Sequence, residues 1–116
     1  MLMLAFAITS FAQECERKEV ELSDGFSGSV TLTGKTGGCN LFVVVMDGAD
    51  RVKANLTSTD SKARFTLTAG EKTNPGYMTA SNLTTFDKVL DVGYFLIDVK
   101  GTASTSFTLK ISVTSE

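Results

Sequence analysis

Ser106-Phe107-Thr108-Leu109-Lys110-Ile111-Ser112-Val113 alternates apolar and polar residues without a break. Successive side chains of a strand point to opposite faces, so Phe107, Leu109, Ile111 and Val113 share one face. Thr108, Lys110 and Ser112 share the other. That is a strand with one face in a core and one in water, the pattern of an antiparallel sheet.

The same period continues upstream. Residues 93–100 put Phe95, Ile97 and Val99 on one face, and the turn residues 101–105 separate them from the last strand. Residues 63–68 alternate through Ala63, Phe65 and Leu67, and residues 51–56 through Val52, Ala54 and Leu56. Residues 28–33 alternate through Val30 and Leu32, and residues 18–22 through Val20 and Leu22. Asn40-Leu41-Phe42-Val43-Val44-Val45-Met46 is apolar at both parities, which predicts a central strand buried on both faces. Residues 77–80 and 84–90 are weaker strands. The second also fits a single helical turn, with Phe86, Val89 and Leu90 on one face.

Turn chemistry separates these runs. Ser23-Asp24-Gly25 and the loop 34–38 are turn signals, and Asp47-Gly48-Ala49-Asp50 has the form of a tight hairpin turn. The loop 69–76 holds the single proline, Pro75. Short strands at regular spacing predict an all-β fold. The expected architecture is an antiparallel, jelly-roll-like β-sandwich of seven to nine short strands with one disulfide.

Residues 1–12 carry no charged side chain and precede Gln13-Glu14-Cys15. They read as a secretory signal peptide, with Ser10 and Ala12 at the −3 and −1 positions of a cut before Gln13. The segment is too short to span a bilayer, which takes about 20 apolar residues. Residues 13–116 then form a single domain outside the cell. In an oxidising compartment Cys15 and Cys39 have one intramolecular pairing open to them, and they are expected to bond.

Composition narrows the chemistry. The chain has no histidine, which removes Ser-His-Asp and Cys-His catalysis and histidine-ligated zinc. The formal charge of −2 and the scattered lysines argue against nucleic acid as a partner. Glu14, Glu16, Glu19, Glu21 and Asp24 cluster near the mature N-terminus, but on a strand edge beside Lys18 they read as edge protection. Gly34-Lys35-Thr36 is no phosphate loop, because Gly28 lies one residue too far upstream and no helix follows. Tyr77 and Tyr94 are the only tyrosines and no tryptophan is present, so an aromatic platform for glycans is not evident. Asp47, Asp50 and Asp60 fall in turns, where they cap local backbone or, together with carbonyls, would ligate calcium. Asn55-Leu56-Thr57 and Asn82-Leu83-Thr84 are N-glycosylation sequons, with Asn55 on the outward face of its strand.

Gly93-Tyr94-Phe95-Leu96-Ile97-Asp98-Val99-Lys100-Gly101, followed by Ser106-Phe107-Thr108-Leu109-Lys110-Ile111, resembles the closing hairpin of the pre-peptidase C-terminal domain family. The run from Asn40 to Gly48 resembles it too. The Cys15 and Cys39 spacing is similar to the first disulfide of CUB and CUB-like domains, whose second disulfide has no counterpart here. Both resemblances imply an extracellular jelly-roll sandwich used for binding or adhesion. The expectation is therefore a secreted, non-enzymatic structural or adhesive protein without a cofactor. It would meet other extracellular proteins, matrix or glycans, or assemble into an oligomer or fibre by pairing its first or last strand between copies. The alternative is an extracellular module that binds glycan or calcium.

Overall fold

The structure, a computed structural model, describes residues 16–102 and 104–115. Nine strands run through them: β1 (Arg17–Val20), β2 (Gly28–Lys35), β3 (Leu41–Val45), β4 (Asp50–Ser58), β5 (Arg64–Ala69), β6 (Met78–Leu83), β7 (Thr85–Leu90), β8 (Tyr94–Lys100) and β9 (Ser106–Ser115). They form two sheets, ordered β1-β3-β8-β5-β6 and β2-β9-β4-β7. From β2 onward each strand crosses to the other sheet, except that β6 follows β5 in the same one. That is the jelly roll, an eight-strand double sheet built from β2 to β9. The all-β sandwich expected from the sequence is the fold observed.

β1 is an addition to that frame, and it departs from the antiparallel expectation. It lies parallel to β3, with Arg17 opposite Leu41 and Val20 opposite Val44. Every other pairing is antiparallel. At the open edge beside β1, the Lys18 ammonium sits 5.7 Å from the centre of the Phe42 ring. A cation at such an exposed site contributes about 0.5–1 kcal/mol and shields the core from the side.

The core lies between the sheets. Phe107, Leu109, Ile111 and Val113 from β9, with Val52, Ala54 and Leu56 from β4, face Phe95, Ile97 and Val99 from β8 and Phe65 and Leu67 from β5. All are buried, as the alternation predicts. Each large side chain contributes roughly 1.5–3 kcal/mol by leaving water. The 84–90 run forms strand β7 over Thr85–Leu90 and not a helical turn: Phe86 and Leu90 are buried while Val89 is exposed.

Four expectations are corrected by the structure. The turn at residues 47–50 makes no hairpin, because β3 and β4 belong to different sheets; Gly48 (φ 102°) and Ala49 (φ 57°) carry the chain across. The loops 34–38 and 101–105 likewise cross between sheets, so β8 and β9 are not a closing hairpin. The run at residues 40–46 is buried on one face only. Phe42 and Val44 point into the core, whereas Leu41 and Val43 are half-buried and Val45 is exposed. No second layer covers the outer face of the five-stranded sheet among the described residues. The last strand is also no edge, since β9 lies between β2 and β4.

The expected signal segment, residues 1–12, and Cys15 lie outside the described residues. Cys39 sits half-buried in the β2–β3 loop. No helix among the described residues is long and apolar enough to cross a membrane.

Candidate docking surface

The outer face of the five-stranded sheet carries an apolar strip. Parity places Leu41, Val43 and Val45 of β3 on it, with Tyr94 and Leu96 of β8 beside Val45 and Val43 in register. Leu41 pairs instead with Asp98. β1 adds Glu19 beside Val43 and Arg17 beside Leu41. In most antiparallel sheets such outward positions are polar. Here the strip ends at Val45, 38% exposed, next to a loop that presents Phe26, 52% exposed.

That loop is built rather than slack. Gly25 N donates to Leu22 O at 3.1 Å, Asp24 N to Ser27 O at 2.9 Å, and Ser23 N to Ser29 O at 3.2 Å. Ser29 N returns a bond to Ser23 Oγ at 3.1 Å. Gly28, at φ 107°, passes so close to Ser23 that a Cβ there would stand 2.2 Å from Ser23 Oγ. Only glycine fits such a position comfortably. The turn therefore fixes where Phe26 projects, and a preorganised aromatic loses little freedom on contact.

Two adjoining depressions share Val45. One, of about 470 Å³, has Phe26, Gly25, Leu22, Val20 and Val45 as its apolar wall and Glu19 and Glu21 on its rim. The other, of about 440 Å³, lies among Val43, Val45, Tyr94 and Gly93, with Arg17 and Glu71 at its rim. Large exposed apolar side chains gathered in one place and rimmed by charge are what a protein-binding patch presents.

The opposite end of the sandwich holds a polar cluster of different character. Asp60 accepts from Thr102 Oγ1 at 2.7 Å, Thr105 Oγ1 at 2.9 Å, Lys62 N at 2.9 Å and Ser58 Oγ at 3.3 Å. Buried Thr36 donates its hydroxyl to Thr102 O and accepts from Thr105 N at 3.1 Å. The β2–β3, β4–β5 and β8–β9 loops are thus tied together. The Thr102 hydroxyl first, then the Lys62 amide, hold the Asp60 carboxyl down at about 2, against an ordinary 3.8. A carboxyl whose folded-state value is lowered stabilises the fold fully above its unfolded value. That stabilisation is lost as pH falls from 3.8 through 2. Urea midpoints measured down this range should fall for the parent protein, and the component due to Asp60 should vanish in Asp60→Asn. Parallel curves for the two would remove Asp60 from the account.

The sequence-predicted calcium residues do not come together. Asp47 and Asp50 flank the β3–β4 turn, and the whole of β4 separates them from Asp60. Among the described residues no group of three or more acidic, cysteine or histidine side chains could hold a metal. Asp60 does cap local backbone as expected, through Lys62 N, but its other oxygen has the larger role of crosslinking loops.

Of the sequon residues, Asn55 is exposed on the outward face of β4, between Lys110 and Thr85 in register. Asn82 is exposed at the corner where the chain leaves β6 for β7, with φ 61°. Asparagine tolerates this left-handed conformation better than most residues, so Asn82 has a backbone reason to be there. Neither lies in the Phe26–Tyr94 region.

No family model matches the chain, and no curated protein does. Among solved structures the fold is similar to the crystal structure of Aeromonas hydrophila PliG, a periplasmic lysozyme inhibitor of g-type lysozyme. The TM-score is 0.63 at 17% identity, over 84% of this chain and 95% of that one. A likeness at this identity concerns the sandwich architecture alone.

Proposed function

We propose that this chain is a secreted, non-catalytic protein-binding module that docks an extracellular partner on the strip from Phe26 through Val45 to Tyr94. The observation that carries the reading is Phe26, an exposed aromatic on a loop locked by four hydrogen bonds and one obligatory glycine. Aromatic anchors of this kind concentrate the energy of protein interfaces. Two further points support it. The fold is similar to that of a periplasmic lysozyme inhibitor, a protein that binds another protein. The absence of histidine removes the commonest general base.

A structural or adhesive role through edge pairing is the competing reading, and magnitudes weigh against it. β1 offers four residues, three of them charged. β7 places Lys88 at an inward register position between Phe86 and Leu90, a charge that discourages pairing. β6 is interrupted by a register shift opposite β5 and by Asn82. On β2, Ser29 is already bonded to Ser23, and the Lys35 carbonyl accepts from Asn40 Nδ2 at 2.8 Å. By alternation, chiefly Thr31 and Thr33 are left with outward backbone groups. A few hydrogen bonds at about 0.5–1.5 kcal/mol each do not offset an association cost of about 4–15 kcal/mol.

The test is surface-plasmon resonance against a panel of secreted proteins that includes a g-type lysozyme. The Phe26→Ser, Val45→Ser double variant should bind any partner of the parent at least tenfold more weakly, while its melting temperature stays close to the parent's. Unchanged binding by the variant removes the strip from the reading. A parent that ignores every protein yet self-associates on size exclusion returns the structural reading.

A further inference from the structure

We infer that the groove between Phe26 and Val45 receives a lysine or arginine side chain, so that the partner presents a basic segment. The inference rests on the strip being the docking surface. The lining of this groove is one-sided in charge: Glu19 and Glu21 supply carboxylates, and among the described residues no cation lines it. The two glutamates stand two residues apart at the end of β1, so an extended backbone puts both on the same side. Arg17 belongs to the neighbouring depression, which it shares with Glu71.

The three candidate occupants differ in what they would leave behind. An aliphatic side chain would cover the carboxylates without pairing them, and an unpaired charge resists removal from water. An acidic side chain would meet two like charges. A lysine or arginine fits both halves of the groove. Its methylene stem lies along the exposed Val45 and Phe26, and its head reaches the carboxylates. Arginine fits best, because its planar guanidinium stacks on an aromatic face while its N–H groups fork onto a carboxylate. The formal charge of −2 favours encounter with a basic partner. Asp98 repeats the polarity at the Leu41 end of the same face. Its Oδ1 is buried without a hydrogen-bond partner among the described residues, although Lys100 Nζ stands 3.8 Å from Oδ2.

A chemical-shift titration of the secreted protein tests this with three blocked tripeptides, Ala-Arg-Ala, Ala-citrulline-Ala and Ala-Leu-Ala. Citrulline keeps the shape of arginine and drops the charge. The arginine peptide should move the amides of Glu19, Glu21, Gly25, Phe26 and Val45. Its affinity should exceed that of the citrulline peptide about tenfold and fall about tenfold in Glu19→Gln, Glu21→Gln, a difference of about 1.4 kcal/mol. Added salt should weaken it. Phe26→Leu, which keeps an apolar side chain, should lose part of the arginine preference. Equal binding of the citrulline or leucine peptide overturns the inference and leaves the docking strip standing. Arginine-induced shifts confined to other amides overturn it as well. Concentration-dependent shifts of the strip in the free protein would assign it to a second copy and overturn both readings.

Discussion

Phe95→Ala is expected to destabilise the fold by about 3–5 kcal/mol, the range for removing a buried ring from a core. Phe95 is fully buried at the centre of the five-stranded sheet, with Val44 of β3 on one side and Ala69 of β5 on the other. Ala69 is too small to fill the space, and Val44 is held by its own ladder. The opposing sheet is fixed by the long pairings of β9 with β2 and β4. The cavity therefore cannot collapse, which sets the cost toward the upper end. A single domain has only about 5–15 kcal/mol in total, so this one change removes a large fraction. For a domain of this size each kcal/mol moves the melting temperature by roughly 4–8 °C. Val45→Ala, on the same sheet with the side chain outward, should stay within about 0.5 kcal/mol. Urea denaturation of the two variants checks the contrast. A Phe95→Ala loss below about 1 kcal/mol would mean that the sheets repack, and the rigid two-layer core would have to be abandoned.

That contrast also shows what the sequence could carry. Inward and outward are written locally, because the strand period is two and water selects against apolar residues outside. Phe107, Leu109, Ile111 and Val113 could be placed without knowing their neighbours. Sheet membership is different. Asp47-Gly48-Ala49-Asp50 has the residues of a reversal, and the chain does reverse there. Whether the next strand pairs with β3 or crosses to the facing sheet depends on β7 and β9, far away in sequence. Turn chemistry carries no information about that choice. The parallel position of β1 was illegible for the same reason, since a short alternating run of charged residues fits any edge.

The docking strip was half visible. Asn40-Leu41-Phe42-Val43-Val44-Val45-Met46 does announce apolar residues at both parities. Such a run means burial on both faces only if something covers the second face, and here no described layer does. That uncovered apolar face is what the proposed docking surface rests on. Phe26 is hidden in the sequence because Ser23-Asp24-Gly25 already accounts for the turn it sits in. The available signal was a lone aromatic between two glycines, in a turn where nothing requires a large side chain. The local logic of Asp60 was readable, while its bonds to Thr102 and Thr105 depend on loops that meet only in the folded sandwich.

Cys39→Ser is expected to have the second large effect, about 2–5 kcal/mol, the range for losing a native disulfide from a small secreted domain. The expected partner, Cys15, immediately precedes the described residues and stands two positions before β1. β1 has little else to hold it. It is four residues long, pairs with one neighbour and buries only part of Val20. A Cys15–Cys39 bond would tether the start of β1 to the β2–β3 loop and cut the entropy of the unfolded chain. The tether bears on the proposed docking surface as well, since β1 supplies Glu19 and leads through Glu21 into the Phe26 loop. The same variant should therefore lower the urea midpoint and raise hydrogen exchange in β1 before the β4–β9 ladder is affected. It should also weaken arginine-peptide binding, though none of the groove's residues is altered. Intact mass with and without reductant reads the bond directly, and the same spectrum reports cleavage before Gln13 and any glycan on Asn55 or Asn82. A parent whose mass and urea midpoint are indifferent to reductant has no such bond. β1 would then have to be held by its pairing with β3 and by Lys18 over Phe42 alone.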